Sequence, residues 1–361
     1  MRQRRFVAVG SKAYQKQRQA PIGPGRQTGD SGPAVTPGEV IRFVVCVALI
    51  FFGMIGVPTI VAKLVHRGAM PDVTAWLHTA DAKRTVRVYH TSSDTTTSMA
   101  LNDYVLDVLA AEFSPGAPMA SLKAAAVATR TYAIHAMTSG APGGVAAKHD
   151  ANVTDDSGLD LPLSSQSDIE AEYPSQSLQF LSQLQAAVEE TDGLIVTYQQ
   201  QPILAFMFDE SPGETRTSEV ALHQKIPYLT AIACPDDKVD PDATTTHTFT
   251  ARELGQAFGL NQVDVAKLKL TRASDGFVTA VSSGTKTISG ADFSAALNLP
   301  SADFTWKSSG GNLTITTHGR GLDLGMSLHE AQALAARGMG WQTIISHFYP
   351  GTLIQSDTKV T

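Results

Sequence analysis

The sequence predicts an α+β fold, with mixed strands and helices in one extracytoplasmic domain behind a single N-terminal transmembrane helix. Three observations predict it. An uncharged apolar run near the N-terminus is long enough to cross a bilayer. Behind it, two strongly helical segments are followed by short alternating stretches of strand character. These elements do not repeat the strand–helix–strand rhythm of a parallel sheet.

The apolar run is FVVCVALIFFGMIGVPTIVA, Phe43 to Ala62, without a charge. A helix of that length spans roughly 30 Å, the thickness of a bilayer's hydrocarbon core. Pro58 and the glycines of the run are tolerated in transmembrane helices. The rival reading is a cleaved signal peptide, whose charged leader is normally much shorter and whose apolar core is shorter too. Residues 43–65 are therefore expected to be an uncleaved anchor. Residues 1–42 carry eight Lys/Arg against Asp30 and Glu39. That excess favours a cytoplasmic N-terminus, with the rest of the chain outside. The tail is rich in Gly, Pro, Gln and Arg, has no apolar periodicity and reads as flexible. Residues 66–84 read as a linker, and 85–355 as the domain.

Of the 28 basic and 34 acidic residues in the chain, 20 and 32 lie beyond the tail. Such an acidic body argues against a nucleic-acid partner, because phosphate binding needs a basic surface. The two cysteines, Cys46 and Cys234, are too far apart in kind and place to suggest a disulfide, a CxxC motif or a zinc knot. No metal or other cofactor is called for by the residue pattern.

In the domain, Thr85 to Tyr89 alternates as a half-buried strand does, and the HTSSDTTTS stretch after it reads as turns. Leu101 to Met137 carries the strongest helical signal. Ser114-Pro115-Gly116-Ala117-Pro118 splits it in two, with Pro118 suited to the first position of the second helix. Residues 139–185 read as long loops with a short helix near the end. Gly193 to Phe208 reads as two strands joined at Gln199–Gln201. Short helices are expected at Ala251–Gly259, Ala291–Leu297, Ser327–Arg337 and Trp341–Phe348, and a strand at Asn312–Thr317.

One carboxylate stands out. Leu101, Val105, Val108 and Glu112 fall on one helical stripe, while Asp103 and Asp107 fall on the other side. A carboxyl on a buried face has its pKa raised, which suits a general acid at neutral pH. Glu112 could equally sit solvated at the helix end or pair with Arg130, and spacing alone favours that plainer reading. In the second helix Lys123 and Arg130, seven residues apart, share a face that could hold a carboxylate or ligand, or could simply be solvated.

Taken together, LNDYVLDVLAAEFSPGAPMASLKAAAVATRTYA resembles the signature of the SpoIID/LytB family. In that signature a Tyr-Val helix leads to an acidic residue and an Ala-rich Arg-Thr-Tyr helix. AVEETDGLIVTYQQQPILAFMF is similar to the family's hairpin, SPGET to its Ser-Gly-Gly-x-Thr loop, and IPYLTAIACPDD to the segment after it. GRGLDLGMSLHEAQALAARGMGWQTIISHFYPGT is similar to the closing glycine-rich loop and helix. The pieces occur in the family's order over roughly residues 85–353.

The resemblance implies a lytic transglycosylase of sporulation (engulfment), acting on peptidoglycan strands whose stem peptides an amidase has removed. Glu112 would be the catalytic acid and base, with Lys123, Arg130, Tyr132, Ser211 and Thr215 binding substrate. The implied partners are glycan strands, the membrane, an amidase and other sporulation membrane proteins. The alternative it leaves is a catalytically silent glycan-binding scaffold or amidase enhancer. Departures are visible: Gly321-Leu322-Asp323 stands where the family has Gly-His-Gly, Leu328 and Ala125 where it has Gln, and Pro212 where it has the first loop Gly. Some relatives bind zinc through a His and two Cys. Here His149 has no neighbouring thiol, Thr154 standing nearby instead, so no such zinc is implied.

Overall fold

The computed structural model describes residues 84–140, 144–158 and 160–359. The expected tail, the 43–65 anchor and most of the linker lie outside them. Among the described residues no helix is long and apolar enough to cross a membrane. Within them, mixed helices and strands make an α+β architecture.

β1 (Thr85–His90) forms as its alternation predicts, with Val86 and Val88 fully buried. The following stretch is only partly turn. Asp94, at φ 52°, makes the reversal, and β2 (Thr95–Ala100) returns antiparallel from His90↔Thr95 to Thr85↔Ala100. Threonine suits a pleated, half-exposed edge, which a turn-based reading of polar residues overlooks.

α1 (Leu101–Glu112) and α2 (Met119–Ser139) are separated at the proline-rich break. Pro118 is the N-cap of α2 rather than its first residue, with Ser121 and Leu122 N–H groups donating to its carbonyl. α2 is buried nearly all round, from Ser121 to Ala136, as a central helix is. Its alanines let α1, β4 and the closing helices approach closely.

The stretch expected as loops holds more structure. It contains α3 (Val145–Lys148), β3 (Val153–Thr154, parallel to β1), α4 (Gln166–Glu172) and α5 (Ser177–Glu189). Ser165 and Asp168 close a reciprocal capping box on α4. Phe180, Leu184, Ala187 and Val188 put one face of α5 into the core. The capping box sat among polar residues that read as loop, while α5 is the short helix expected near the end of the stretch and runs longer.

The expected hairpin forms in part, as β4 (Leu194–Tyr198) and a short β5 (Gln201–Pro202), turning through Gln199 and Gln200 at positive φ, while residues 203–206 leave the strand. β6 (Met207–Phe208), α6 (Ser218–Ala221), α7 (Pro235–Val239) and a 3₁₀ turn, Pro241–Ala243, follow.

Next comes a stretch with its own apolar cluster, built on Leu254, Phe258, Phe293, Phe304 and Ile315. Its elements are β7 (Thr244–Phe249), α8 (Ala251–Ala257), β8 (Leu268–Arg272), β9 (Val278–Ser283), β10 (Lys286–Ser289), α9 (Gly290–Ala296), β11 (Phe304–Ser309) and β12 (Asn312–His318). They form two three-stranded sheets, β10-β9-β8 and β11-β12-β7. Helices near 251 and 291 and the strand at 312 match expectation; the other strands, largely polar and exposed on one face, do not show in the apolar pattern.

The chain then returns to the larger core. β13 (Met326–Ser327) lies parallel to β6, α10 (Leu328–Ala336) and α11 (Trp341–Phe348) pack on α2, and β14 (Leu353–Ser356) pairs antiparallel with β4.

Candidate active site

The stripe on α1 does bury Leu101, Val105 and Val108 completely, and Glu112 ends it as a half-buried residue. The carboxyl of Asp209, the residue that follows β6, lies close enough to share a proton with it. Burial first, then the Asp209 charge and their hydrogen bond, push Glu112 up to about 8. Asp103 is exposed as expected. Asp107 is not freely solvated: half-buried on the same helix, it is raised to about 7 by burial, then by the charges of Asp103 and Asp168.

The residues expected to bind substrate are placed otherwise. Lys123 lies 2.5 Å from Glu190, forming an ion pair rather than an open face. Arg130 is fully buried. Its guanidinium donates to the carbonyls of Thr191 (2.9 Å) and Val188 (3.3 Å) and to Asn102 Oδ1 (3.2 Å), stitching α2 to the end of α5. The expected shared face of Lys123 and Arg130 therefore does not exist, since carbonyls left open at the end of α5 draw the guanidinium inward. Tyr132 is buried and donates to Asp160. Ser211 gives its N–H and hydroxyl to Asp237, and Thr215 its hydroxyl to the Thr230 carbonyl, both from buried positions. These four side chains make hydrogen bonds within the protein.

Around the Glu112–Asp209 pair the structure assembles residues that local sequence patterns did not single out. Glu210 and Arg320 join backbones as an isolated bridge, with Arg320 N–H donating to the Glu210 carbonyl at 2.6 Å. Arg320 also reaches both acids, its Nη2 at 2.8 Å from Glu210 and its Nε at 3.7 Å from Asp209. This crossing requires glycine: a Cβ on Gly319 would stand 2.7 Å from the Glu210 carbonyl oxygen, and one on Gly325 2.1 Å from that of Phe206. The glycine-rich closing loop is therefore a clamp that holds the 206–211 strand end beside Glu112. The sequence signals for it were that run of glycines and the segment's resemblance to the family's closing loop.

Two departures take on a structural meaning. Leu322 is exposed. Asp323 is fully buried at φ 56°, a conformation that Asp tolerates better than most residues. Its carboxyl oxygens have no hydrogen-bond partner, and burial, followed by the Asp303 charge, raises it to about 9. In the first turn of α10, half-buried His329 sits between carboxylates, Nδ1 at 3.1 Å from Asp237 and Nε2 at 3.2 Å from Asp240.

Comparison with known proteins decides the family. Residues 89–198, which carry α1, α2 and Glu112, match the family model described as stage II sporulation protein (SpoIID). The chain is 34% identical over 269 residues to stage II sporulation protein D of Bacillus amyloliquefaciens, covering 74% of this chain and 77% of the relative. It belongs to the SpoIID family. The Bacillus subtilis stage II sporulation protein D is also 34% identical, over 276 residues covering 74% and 78% of the two chains. An uncharacterized protein of Brachyspira hyodysenteriae is 24% identical over 72% of this chain and 68% of its own. The part of the chain matched by the family model holds Glu112, Lys123, Arg130 and Tyr132, whereas Asp209, Arg320 and His329 lie beyond it.

Proposed function

We propose that this SpoIID-family chain is a lytic transglycosylase of sporulation that cuts MurNAc–GlcNAc bonds in amidase-stripped peptidoglycan. The observation that carries the reading is the Glu112–Asp209 carboxyl pair. Burial and the neighbouring charge keep Glu112 protonated near neutral pH, which supplies a general acid. Glu112 gives its proton to the bridging oxygen as the bond to the MurNAc anomeric carbon breaks. It then takes the proton of the MurNAc C6 hydroxyl as that oxygen closes on the anomeric carbon, leaving a 1,6-anhydro end and restoring the acid. Asp209 is close enough to hold the Glu112 proton in line and to stabilise positive charge at the anomeric carbon. No second carboxylate across the bond is needed, unlike glycosidases in which water attacks.

The uncharged run at 43–62 and the basic tail before it support a single-pass membrane protein with the tail inside and the domain outside. There it would work beside an amidase and other sporulation membrane proteins. One observation favours the second reading, a silent glycan-binding scaffold or amidase enhancer: exposed Leu322 and buried Asp323 occupy the loop where the family has Gly-His-Gly.

Digestion of amidase-treated glycan strands by the full-length protein in detergent, with products weighed by mass spectrometry, separates the two. Anhydro-MurNAc ends that vanish with Glu112→Gln support the enzyme. Strand binding without product sinks it.

A further inference from the structure

Glu210, Asp240 and His329 come from three separate segments: the strand end after β6, the residue before the 3₁₀ turn, and the first turn of α10. Each presents one ligand-type atom, and the three atoms lie within 4.8 Å of one another. Their surroundings are arranged for something positive between them. Glu210 is fully buried, yet neither of its carboxyl oxygens receives a well-formed hydrogen bond, and His329 Nδ1 stands 4.0 Å from Oε1. Arg320 engages the other oxygen, Oε2, at 2.8 Å, which leaves Oε1 turned toward the cluster.

A buried carboxylate oxygen without a donor costs several kcal/mol in general terms unless a proton or cation meets it. His329 is oriented for the second choice. Its Nδ1 is 3.1 Å from Asp237, whose other oxygen is fixed by the Ser211 N–H and hydroxyl, so Asp237 can hold the ring proton on Nδ1. The lone pair is then on Nε2, the atom 3.2 Å from Asp240 Oδ2. A carboxylate behind a histidine is the usual support for a metal-ligating imidazole. Asp237, Asp240 and Glu210 against Arg320 leave two negative charges, matched by a divalent ion. His329 and Asp240 are part-exposed, so water can complete the coordination and the ion can enter.

We propose that Glu210, Asp240 and His329 form a divalent transition-metal site, supported by Asp237. The mix of imidazole and carboxylate favours Zn²⁺ or Mn²⁺ over Ca²⁺. The site ties the 210 strand end, the 3₁₀ turn and α10 together. Through Arg320 it adjoins Asp209, so the ion stiffens the segment that carries the partner acid of Glu112. The inference stands on this cluster and does not depend on glycan cleavage.

The test uses full-length protein in detergent, without a histidine tag, stripped with EDTA and titrated with ZnCl₂, MnCl₂ and CaCl₂ by calorimetry. One equivalent of Zn²⁺ or Mn²⁺ is expected, with a rise in melting temperature. Glu210→Gln and His329→Gln are each expected to weaken binding at least tenfold and to abolish that rise. Should Glu210→Gln lose its native circular dichroism, Asp240→Asn at the more exposed rim carries the same expectation. Absence of stoichiometric uptake overturns the site and leaves a shared proton as the occupant. Uptake of equal affinity in the variants, or Ca²⁺ bound more tightly than Zn²⁺, overturns it as well.

Discussion

Glu112 closes α1 and Asp209 follows β6, and their carboxyls meet although the two elements are far apart in the chain. Two like charges in a partly dry setting cannot both be ionised cheaply, so one proton is held between them. That contact depends on the parallel pairing of β6 with β13 and on the Glu210–Arg320 bridge beside it. The acid is thus tuned by a crossing of distant strands.

If Glu112 acts while protonated, activity persists through neutral pH and falls as pH rises through about 8. Asp209→Asn removes the neighbouring charge and moves that alkaline limb to lower pH. A pH–rate profile of the two proteins checks it, and an unmoved limb would refute the coupling. Glu112→Gln is expected to lower the rate by about 10²-fold or more.

Asp323 makes its own prediction. Its folded pKa, about 9, is raised above the ordinary carboxylate value by burial. A raised carboxyl contributes stability that is complete below its unfolded pKa and is lost as pH rises through the folded value. Wild-type stability should therefore decline between about pH 4 and pH 9, partly through this group. Asp323→Asn keeps the shape and the tolerance for positive φ, and should flatten the decline. Urea unfolding at pH 5, 7 and 9 measures the difference; parallel curves would rule out a buried, protonated Asp323.

Arg130 and Lys123 should part company. Arg130→Met leaves the carbonyls of Val188 and Thr191 without their buried donor and should cost about 3 kcal/mol or more. Lys123→Ala breaks an ion pair with largely exposed Glu190 and should cost under about 1 kcal/mol. Chemical denaturation of each variant decides. Equal small losses would restore Arg130 as a candidate substrate contact.

Gly325→Ala places a methyl 2.1 Å from the Phe206 carbonyl oxygen at φ 89°. The strand end carrying Asp209 must shift, so a loss on the order of 3 kcal/mol is expected, along with a lowered alkaline limb as Asp209 leaves Glu112. Thermal melts and the pH–rate profile read the two effects. A variant with wild-type melting and profile would show that the clamp is dispensable.

Much of the larger core was legible locally. The 3.6-residue stripe and the proline-rich break place α1 and α2 within a residue or two, and Gln199-Gln200 marks the hairpin. The strands β7 to β11 were not legible, because Thr- and Ser-rich strands exposed on one face leave little apolar signal. α4 hid for a related reason, since its one buried residue, Ile169, stands among polar neighbours, whereas α5 is the helix expected near the end of that stretch, longer than it read.

The sequence by itself determined the α+β class, the family and the position of Glu112 at the end of an apolar stripe, because helical period and motif order are properties of neighbouring residues. Only the tertiary structure decided what Glu112 meets, that Arg130 and Tyr132 face inward, and that Glu210, Asp240 and His329 converge. Those outcomes depend on which backbone segments cross. The crossing is set by strand pairing, glycine clearance and the need to satisfy buried carbonyls, none of which has a period that can be read along the chain.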